Sequence, residues 1–247
     1  MPRPTVKTAP PPKKGPSTGL LGGVVALVVA IIAVAVYIAV RPDPVGDGDS
    51  ASITGGGASS PSALPAAGGI RVGTGGDDVP AVHIYEDFQC PWCGLLERTS
   101  GEAFIEAAER GEIQLTFTLM SFLDGNLGND SSIRSANAAM CADDQGRFVP
   151  YHQALYADQP EEGAGWTDED LIGIAEQVGV EDIDAFTSCL DDEKHFDYIR
   201  DMQTRSNQEG VSGSPRVFID GEELDGEDMN ALMYDPTALT DILAARQ

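Results

Sequence analysis

Alternation of apolar and polar residues predicts a small set of strands after residue 80. Ala81–Glu86 (AVHIYE) alternates as a half-buried strand does. Ile113–Phe122 (IQLTFTLMSF) is predicted to form a second strand and Arg216–Ile219 (RVFI) a third. The turn residues Asp220 and Gly221 close the third strand, so Glu222–Leu224 could pair with it as a hairpin.

Helical spacing of apolar residues fills most of the rest of this region. Pro91 permits a helix start, and Cys93–Arg110 carries the helical pattern. The pattern then continues from Ser131 to Gly210, in segments predicted at Ser131–Asp143, Phe148–Ala157, Thr167–Val178, Asp182–Leu190 and Lys194–Glu209. A last helix is predicted at Pro236–Ala245. This order predicts an α/β core interrupted by an all-helical insertion at about 131–210.

The N-terminal part of the chain has a different pattern. Residues 20–40 (LLGGVVALVVAIIAVAVYIAV) contain no charge and would span about 31 Å as a helix, which matches a bilayer core. A cleaved signal peptide is the alternative, but its apolar region is usually shorter. We expect a retained transmembrane helix, a cytoplasmic basic tail at 1–19, and a flexible linker at 41–69, with the folded domain at 70–247 outside the cytoplasm, at the cell membrane.

Charge narrows the possible functions. The chain holds 40 acidic residues against 15 Lys and Arg, a net charge of −25. Such a surface repels phosphate, which argues against binding to nucleic acid. Four Cys are too few for a disulfide-rich small protein, but they allow two pairs.

Cys90-Pro91-Trp92-Cys93 is the strongest chemical signal. A C-x-x-C pair at a strand-to-helix junction puts the first sulfur beside free backbone N–H groups, where the helix dipole stabilises a thiolate. Pro91 supports the helix start, and Trp92 supplies an apolar surface near the sulfurs. A zinc site would need a second group of ligands, and the other Cys and His residues are scattered. A purely structural disulfide is the remaining alternative.

A second feature is Gly213-Ser214-Pro215 before the strand at 216–219, since a proline there usually marks an edge or a cis turn. Together with the Cys-Pro-Trp-Cys motif, the late Ser-Pro-x-x-Phe-Ile-Asp-Gly segment and the helical block, it makes residues 70–247 resemble the DsbA-like branch of the thioredoxin superfamily, of the membrane-anchored bacterial type. The segment Tyr151–Ala157 and the pair Gln159-Pro160 also resemble bacterial members.

The resemblance implies a thioredoxin-like fold and a role for each site residue. Cys90 is then the exposed catalytic nucleophile and Cys93 the buried resolving thiol. Pro215 is a cis proline facing them, and backbone groups of Ser214 bind an extended substrate peptide. Family members often carry a buried acid six residues before the first Cys, but Ile84 occupies that position here. Whether Glu86 or Asp87 takes over is left open by the sequence.

Cys141 and Cys189 lie on two predicted helices of the insertion. Outside the cytosol we expect a structural disulfide between them, with a second redox pair as the alternative. His83 and His152 are expected to have packing or surface roles, His195 to lie at the surface and Trp166 to anchor the core. The acidic segment 220–228 is expected to be a solvated turn. No metal or cofactor is expected.

The expected function is therefore an extracytoplasmic thiol–disulfide oxidoreductase. It would introduce disulfides into exported proteins and be reoxidised by a membrane oxidase. A reductase or isomerase of the same fold, a peptide-holding module without turnover, and a metal-binding surface protein are the alternatives. The sequence does not fix the direction of electron flow.

Overall fold

Five strands form one mixed sheet in the structure, a computed structural model that describes residues 68–246. Their order across the sheet is β1-β3-β2-β4-β5. β2 and β3 run parallel, and the other neighbouring pairs are antiparallel. The strands are β1 (Ile70–Val72), β2 (Ala81–Glu86), β3 (Gln114–Leu119), β4 (Arg216–Ile219) and β5 (Glu222–Glu223).

Helices surround the sheet. Six of them lie between β3 and β4, and the last five of these, from Ser131 to Gln208, form the predicted insertion. This confirms the α/β core with an all-helical insertion. The helices are α1 (Pro91–Leu96), α2 (Glu102–Glu109), α3 (Phe122–Leu127), α4 (Ser131–Asp143), α5 (Phe148–Ala157), α6 (Asp168–Gln177), α7 (Ile183–Asp191), α8 (Phe196–Gln208), α9 (Gly226–Tyr234) and α10 (Ala238–Ala245), and a π-helical turn, Glu97–Gly101, joins α1 to α2.

Burial of β2 and β3 explains why the two strands occupy the centre. The last three residues of β2 and the last five of β3 are buried, so side chains on both faces of these strands are covered. Local signals fix several helix ends: Thr167 and Asp170 form a reciprocal capping box at the start of α6. The core is therefore closed on both sides of the strand that leads into the Cys-Pro-Trp-Cys motif.

Several elements differ from the sequence-based expectation. The second strand ends at Leu119, and Phe122 begins helix α3. The segment expected as a solvated turn contains the start of α9, whose first N–H groups are capped by the carboxylate of Asp225. His195, expected at the surface, is partly buried: its side chain is 14% exposed, and its Nε2 lies 2.9 Å from the Asp144 carboxylate.

The predicted tail (1–19), the transmembrane helix (20–40) and almost all of the linker (41–69) lie outside the described residues. Within residues 68–246, no helix has both the length and the apolar character needed to cross a membrane.

Candidate active site

The Cys-Pro-Trp-Cys motif lies where β2 ends and α1 begins. Cys90 is the N-cap residue and has extended backbone angles. Pro91 occupies the first turn, where a backbone N–H would have no partner within the helix, so a proline costs no hydrogen bond there. The carbonyl of Cys90 accepts from the N–H of Gly94 at 3.2 Å. The sulfur of Cys90 is thereby held at the positive end of the helix.

Electrostatics at this position favour a thiolate. Hydrogen bonds to its sulfur, the strongest from the Cys93 thiol and others from the N–H groups of Cys93 and Trp92, lower the pKa of Cys90 to about 6 against the opposing effect of burial. A thiol with that pKa is about nine-tenths ionised at pH 7. Cys90 is therefore suited both to nucleophilic attack and to being displaced as a leaving group.

Cys90 is less accessible than the resemblance implied. Its exposed fraction is 5%, so the expectation of an exposed nucleophile is wrong for this conformation. The physical reason is the loop before β4, whose Ser214 carbonyl lies 3.4 Å from the Cys90 sulfur. Trp92, beside it, is 56% exposed and offers the apolar surface that the sequence indicated.

Ser214 and Pro215 lie against the motif, joined by a cis peptide bond. The Ser214 hydroxyl is buried and has no hydrogen-bond partner. A groove of about 400 Å³ runs from this loop along α9, and it is lined in part by Trp92, Ser214, Pro215, Met229 and Met233. The groove brings Ser214, predicted for substrate binding, onto one surface with Trp92 and Pro215.

Cys93 lies inside the protein, with 2% of its surface exposed. Burial and the hydrogen bond to Cys90 raise the pKa of Cys93 well above its usual range, and the charge of Glu86 raises it further. Both active-site cysteines are free thiols in the structure. The pair thus combines one ionised, outer sulfur with one neutral, inner sulfur.

The two acids before the motif point in different directions. Asp87 accepts from the Ser132 hydroxyl at 2.6 Å and from the N–H groups of Gln89 and Leu123. Burial raises the pKa of Asp87 to about 7. Glu86 instead contacts His152, and its charge acts on Cys93. Of the two acids, Glu86 is therefore the one whose charge acts on the buried thiol.

Gln159 is a site residue whose role the sequence did not indicate. Its side-chain amide donates to the carbonyls of Phe88 at 2.8 Å and Cys90 at 2.9 Å. These bonds fix the loop that carries the nucleophile. The only sequence signal was the resemblance of the Gln159-Pro160 pair to bacterial family members.

Cys141 and Cys189 form a disulfide that joins α4 to α7, with their Cα atoms 5.9 Å apart. Among residues 68–246, the group of potential metal ligands that lie close together consists of these two cysteines and His195. A disulfide sulfur is a poor metal ligand because metal binding requires the thiolate. The pair is remote in sequence from Cys90 and Cys93 and belongs to the insertion.

Comparisons with known proteins place these features in context. The model of the family described as "Thioredoxin" matches residues 72–233. The probable disulfide bond formation protein D of Bacillus anthracis is 26% identical over 152 residues, which cover 60% of this chain and 68% of that protein. The Na⁺/H⁺ antiporter NhaA 1 of Salinispora arenicola is 30% identical over 142 residues, but these cover only 20% of the antiporter.

Solved structures show the same fold. The reduced form of the disulfide bond oxidoreductase DsbG from Mycobacterium tuberculosis is 25% identical, with a TM-score of 0.56, covering 71% of this chain and 91% of that one. MdbA, a thiol-disulfide oxidoreductase from Corynebacterium diphtheriae, gives a TM-score of 0.60 at 23% identity, covering 76% of this chain and 95% of that one.

Proposed function

Because the chain belongs to the thioredoxin family, as a thiol–disulfide oxidoreductase of the DsbA type, we propose that it introduces disulfides into exported proteins outside the cytoplasm. The observation that carries this proposal is the low pKa of Cys90, about 6, beside a neutral Cys93. A stabilised Cys90 thiolate favours the reduced enzyme, which makes the Cys90–Cys93 disulfide a stronger oxidant.

The proposed cycle begins with that disulfide. A substrate thiolate attacks the Cys90 sulfur, the Cys90–Cys93 bond breaks, and its electron pair goes to Cys93. A second substrate thiolate then attacks the substrate sulfur of the mixed disulfide and displaces Cys90 as a thiolate. The substrate leaves oxidised, and the enzyme leaves as the dithiol present in the structure. An extended substrate peptide would lie in the groove beside Pro215 and pair with backbone groups of Ser214.

The partners and location belong to the same proposal. Exported protein thiols are the substrates, and a membrane oxidase takes up the two electrons to restore the disulfide. The apolar run at 20–40, with its basic N-terminal flank, supports a single-pass anchor with the domain outside. Extraction of membranes at alkaline pH tests the anchor: an integral protein stays in the pellet, and release of the full chain into the supernatant would contradict it.

Oxidation of a reduced, unfolded substrate tests the activity. The oxidised full chain should form disulfides in reduced ribonuclease, and Cys90→Ser should abolish this, whereas Cys141→Ala with Cys189→Ala should retain it. The reduction potential of the Cys90–Cys93 pair tests the direction: an oxidase should lie nearer to about −120 mV, and a value near −270 mV would replace the proposal with a reductase.

The exposed groove supports a second candidate, a peptide-holding module without turnover. Trp92 and the two methionines of α9 offer apolar surface to an extended chain. Binding of unfolded chains by a double variant, Cys90→Ser with Cys93→Ser, together with no thiol oxidation by the wild-type protein, would favour this candidate.

A further inference from the structure

Three ionisable side chains lie together beneath the active-site helix, and the cycle above gives them no role. His152 is fully buried, and its Nε2 lies 2.6 Å from Oε1 of Glu86. Its other ring nitrogen, Nδ1, faces Oε1 of Glu97 at 3.8 Å and has no hydrogen-bond partner. The side chains of Glu86 and Glu97 are 5% and 10% exposed, so a histidine is enclosed between two buried carboxylates.

The fold makes specific room for this group of three, which we call the Glu86–His152–Glu97 cluster. Glu86 ends β2, His152 comes from α5 of the insertion, and Glu97 begins the π-helical turn. A Cβ atom on Gly101 would lie 2.3 Å from the carboxyl carbon of Glu97, so this glycine leaves the space that the carboxylate fills. Single π turns inside helices occur frequently at functional sites.

Burial of the cluster lowers the stability of the folded protein, which indicates a functional role for the cluster. Burying charged groups carries a desolvation penalty that pairing offsets only in part. Burial lowers the pKa of His152, but the charges of Glu86 and Glu97 raise it above its usual value. Burial also raises the pKa of Glu97. Both shifts favour the protonated forms of His152 and Glu97.

Cys93 is the neighbouring group that must exchange a proton. It is 2% exposed, so bulk water does not reach its sulfur. The negative charge of Glu86 contributes to the raised pKa of Cys93. Cys93 and Glu97 are four residues apart on one continuous helical segment, and the N–H of Glu97 donates to the Cys93 carbonyl. Of the cluster's members, Glu97 is the most exposed.

We propose that the Glu86–His152–Glu97 cluster is a proton relay that connects the Cys93 sulfur with solvent during disulfide exchange. The inference rests on the proposed roles of Cys90 and Cys93. When substrate attack on Cys90 breaks the disulfide, the electron pair goes to Cys93, which takes a proton through Glu86. His152 passes its Nε2 proton to Glu86, and Glu97 supplies a proton from solvent to Nδ1 of the ring. In the reverse direction the Cys93 thiol loses its proton along the same route.

The groups that face the relay come from every element packed around it. Helix α1 contributes Cys93, and the π turn contributes Glu97. Glu86 ends β2, and Asp87 follows it. Helix α5 contributes His152 and Tyr156. Burial and the charges of these acids raise the pKa of the Tyr156 phenol well above its usual range, so it stays neutral. The Asp87 carboxylate already accepts a hydrogen bond from the Ser132 hydroxyl. The cluster therefore remains as the proton route between Cys93 and solvent.

Two-phase reaction with 5,5′-dithiobis(2-nitrobenzoate) isolates the step. In the reduced full chain, Cys90 attacks first and releases one nitrothiobenzoate. Cys93 then loses its proton, attacks Cys90 and releases the second, at a rate independent of reagent concentration. Stopped-flow absorbance at 412 nm follows both phases between pH 5.5 and 9. The variants are Glu97→Gln and His152→Gln, and Glu102→Gln, on the exposed side of the next helix, is the matched control.

In the wild type and in Glu102→Gln, the second phase should change little with pH between 6 and 8. In Glu97→Gln and His152→Gln it should be at least tenfold slower at pH 6 and should rise about tenfold per pH unit, because hydroxide replaces the relay. The first phase should change less than twofold. If His152→Gln does not fold, Glu97→Gln decides.

Two results would overturn the relay: a wild-type pH profile of the second phase in Glu97→Gln, or a slowing that is equal at every pH, which indicates only a structural role. Absence of both phases in the wild type, by contrast, would contradict the proposed role of Cys90 itself.

Discussion

The Cys93 thiol should hold the Cys90 sulfur in its ionised form, and replacement of Cys93 tests this directly. Its hydrogen bond is the largest influence that lowers the pKa of Cys90 to about 6. Cys93→Ala removes the donor, whereas Cys93→Ser keeps an O–H donor at the same position. In both variants Cys90 is the one free thiol, because the other two cysteines form the disulfide.

The magnitude follows from the strength of such a bond. A hydrogen bond to a charged group contributes about 1.5–3 kcal/mol, and 1.36 kcal/mol changes an ionisation constant tenfold. The acid dissociation constant of Cys90 should therefore fall about 10- to 100-fold in Cys93→Ala. It should fall much less in Cys93→Ser. The backbone N–H groups of Trp92 and Cys93 remain in both variants, so part of the stabilisation of the thiolate persists.

The assay is the rate of alkylation by iodoacetamide as a function of pH, since the thiolate is the reactive form. The midpoint should lie near pH 6 in Cys93→Ser and about one to two pH units higher in Cys93→Ala. Thermal unfolding of both variants serves as the control for folding. Equal midpoints in the two variants would refute the reasoning, because they would show that the helix and not the second thiol controls ionisation.

Two further predictions concern stability. The Cys141–Cys189 disulfide closes a loop of 48 residues. The chain-entropy relation therefore predicts that the double variant Cys141→Ala with Cys189→Ala lowers the free energy of unfolding by about 4 kcal/mol. Urea denaturation measures this loss, and a value below about 1 kcal/mol would contradict the prediction. Burial raises the pKa of Asp87 to about 7, so the folded protein binds an extra proton between about pH 4 and 7 and its stability falls as the pH rises through that window. Asp87→Asn should make the free energy of unfolding depend less on pH in this window. An unchanged slope between pH 4 and 7 would contradict the raised pKa of Asp87.

Features with a local signal could be predicted from the sequence. The Cys-Pro-Trp-Cys motif is placed at the end of β2 by a short alternating segment and one proline, and the insertion helices follow from apolar spacing alone. Helix α9 had such a signal too. Asp225 with Glu227 and Asp228 forms a capping sequence before apolar residues, but the density of acids suggested a solvated turn.

Features that depend on long-range contacts could not be predicted in this way. β1 has three residues, too few to show a period, and it is fixed by pairing with β3. The approach of Gln159 to the Cys90 carbonyl joins residues 69 positions apart. The burial of Cys90 depends on Ser214, 124 positions away. No pattern within one element carries this information.

The buried acid that acts on Cys93 lies at a different position of β2 from the one that the family resemblance implied. Ile84 stands six residues before Cys90, where related proteins often carry the acid, and it is 2% exposed. Side chains two residues apart in a strand point to the same face. Glu86 therefore lies on the same side of β2 as Ile84, one step nearer to α1, and its charge still acts on Cys93. Moving the acid toward the end of the strand brings it within reach of His152 on the insertion, 66 positions away. The helical insertion thus supplies the histidine that contacts the acid acting on the buried thiol.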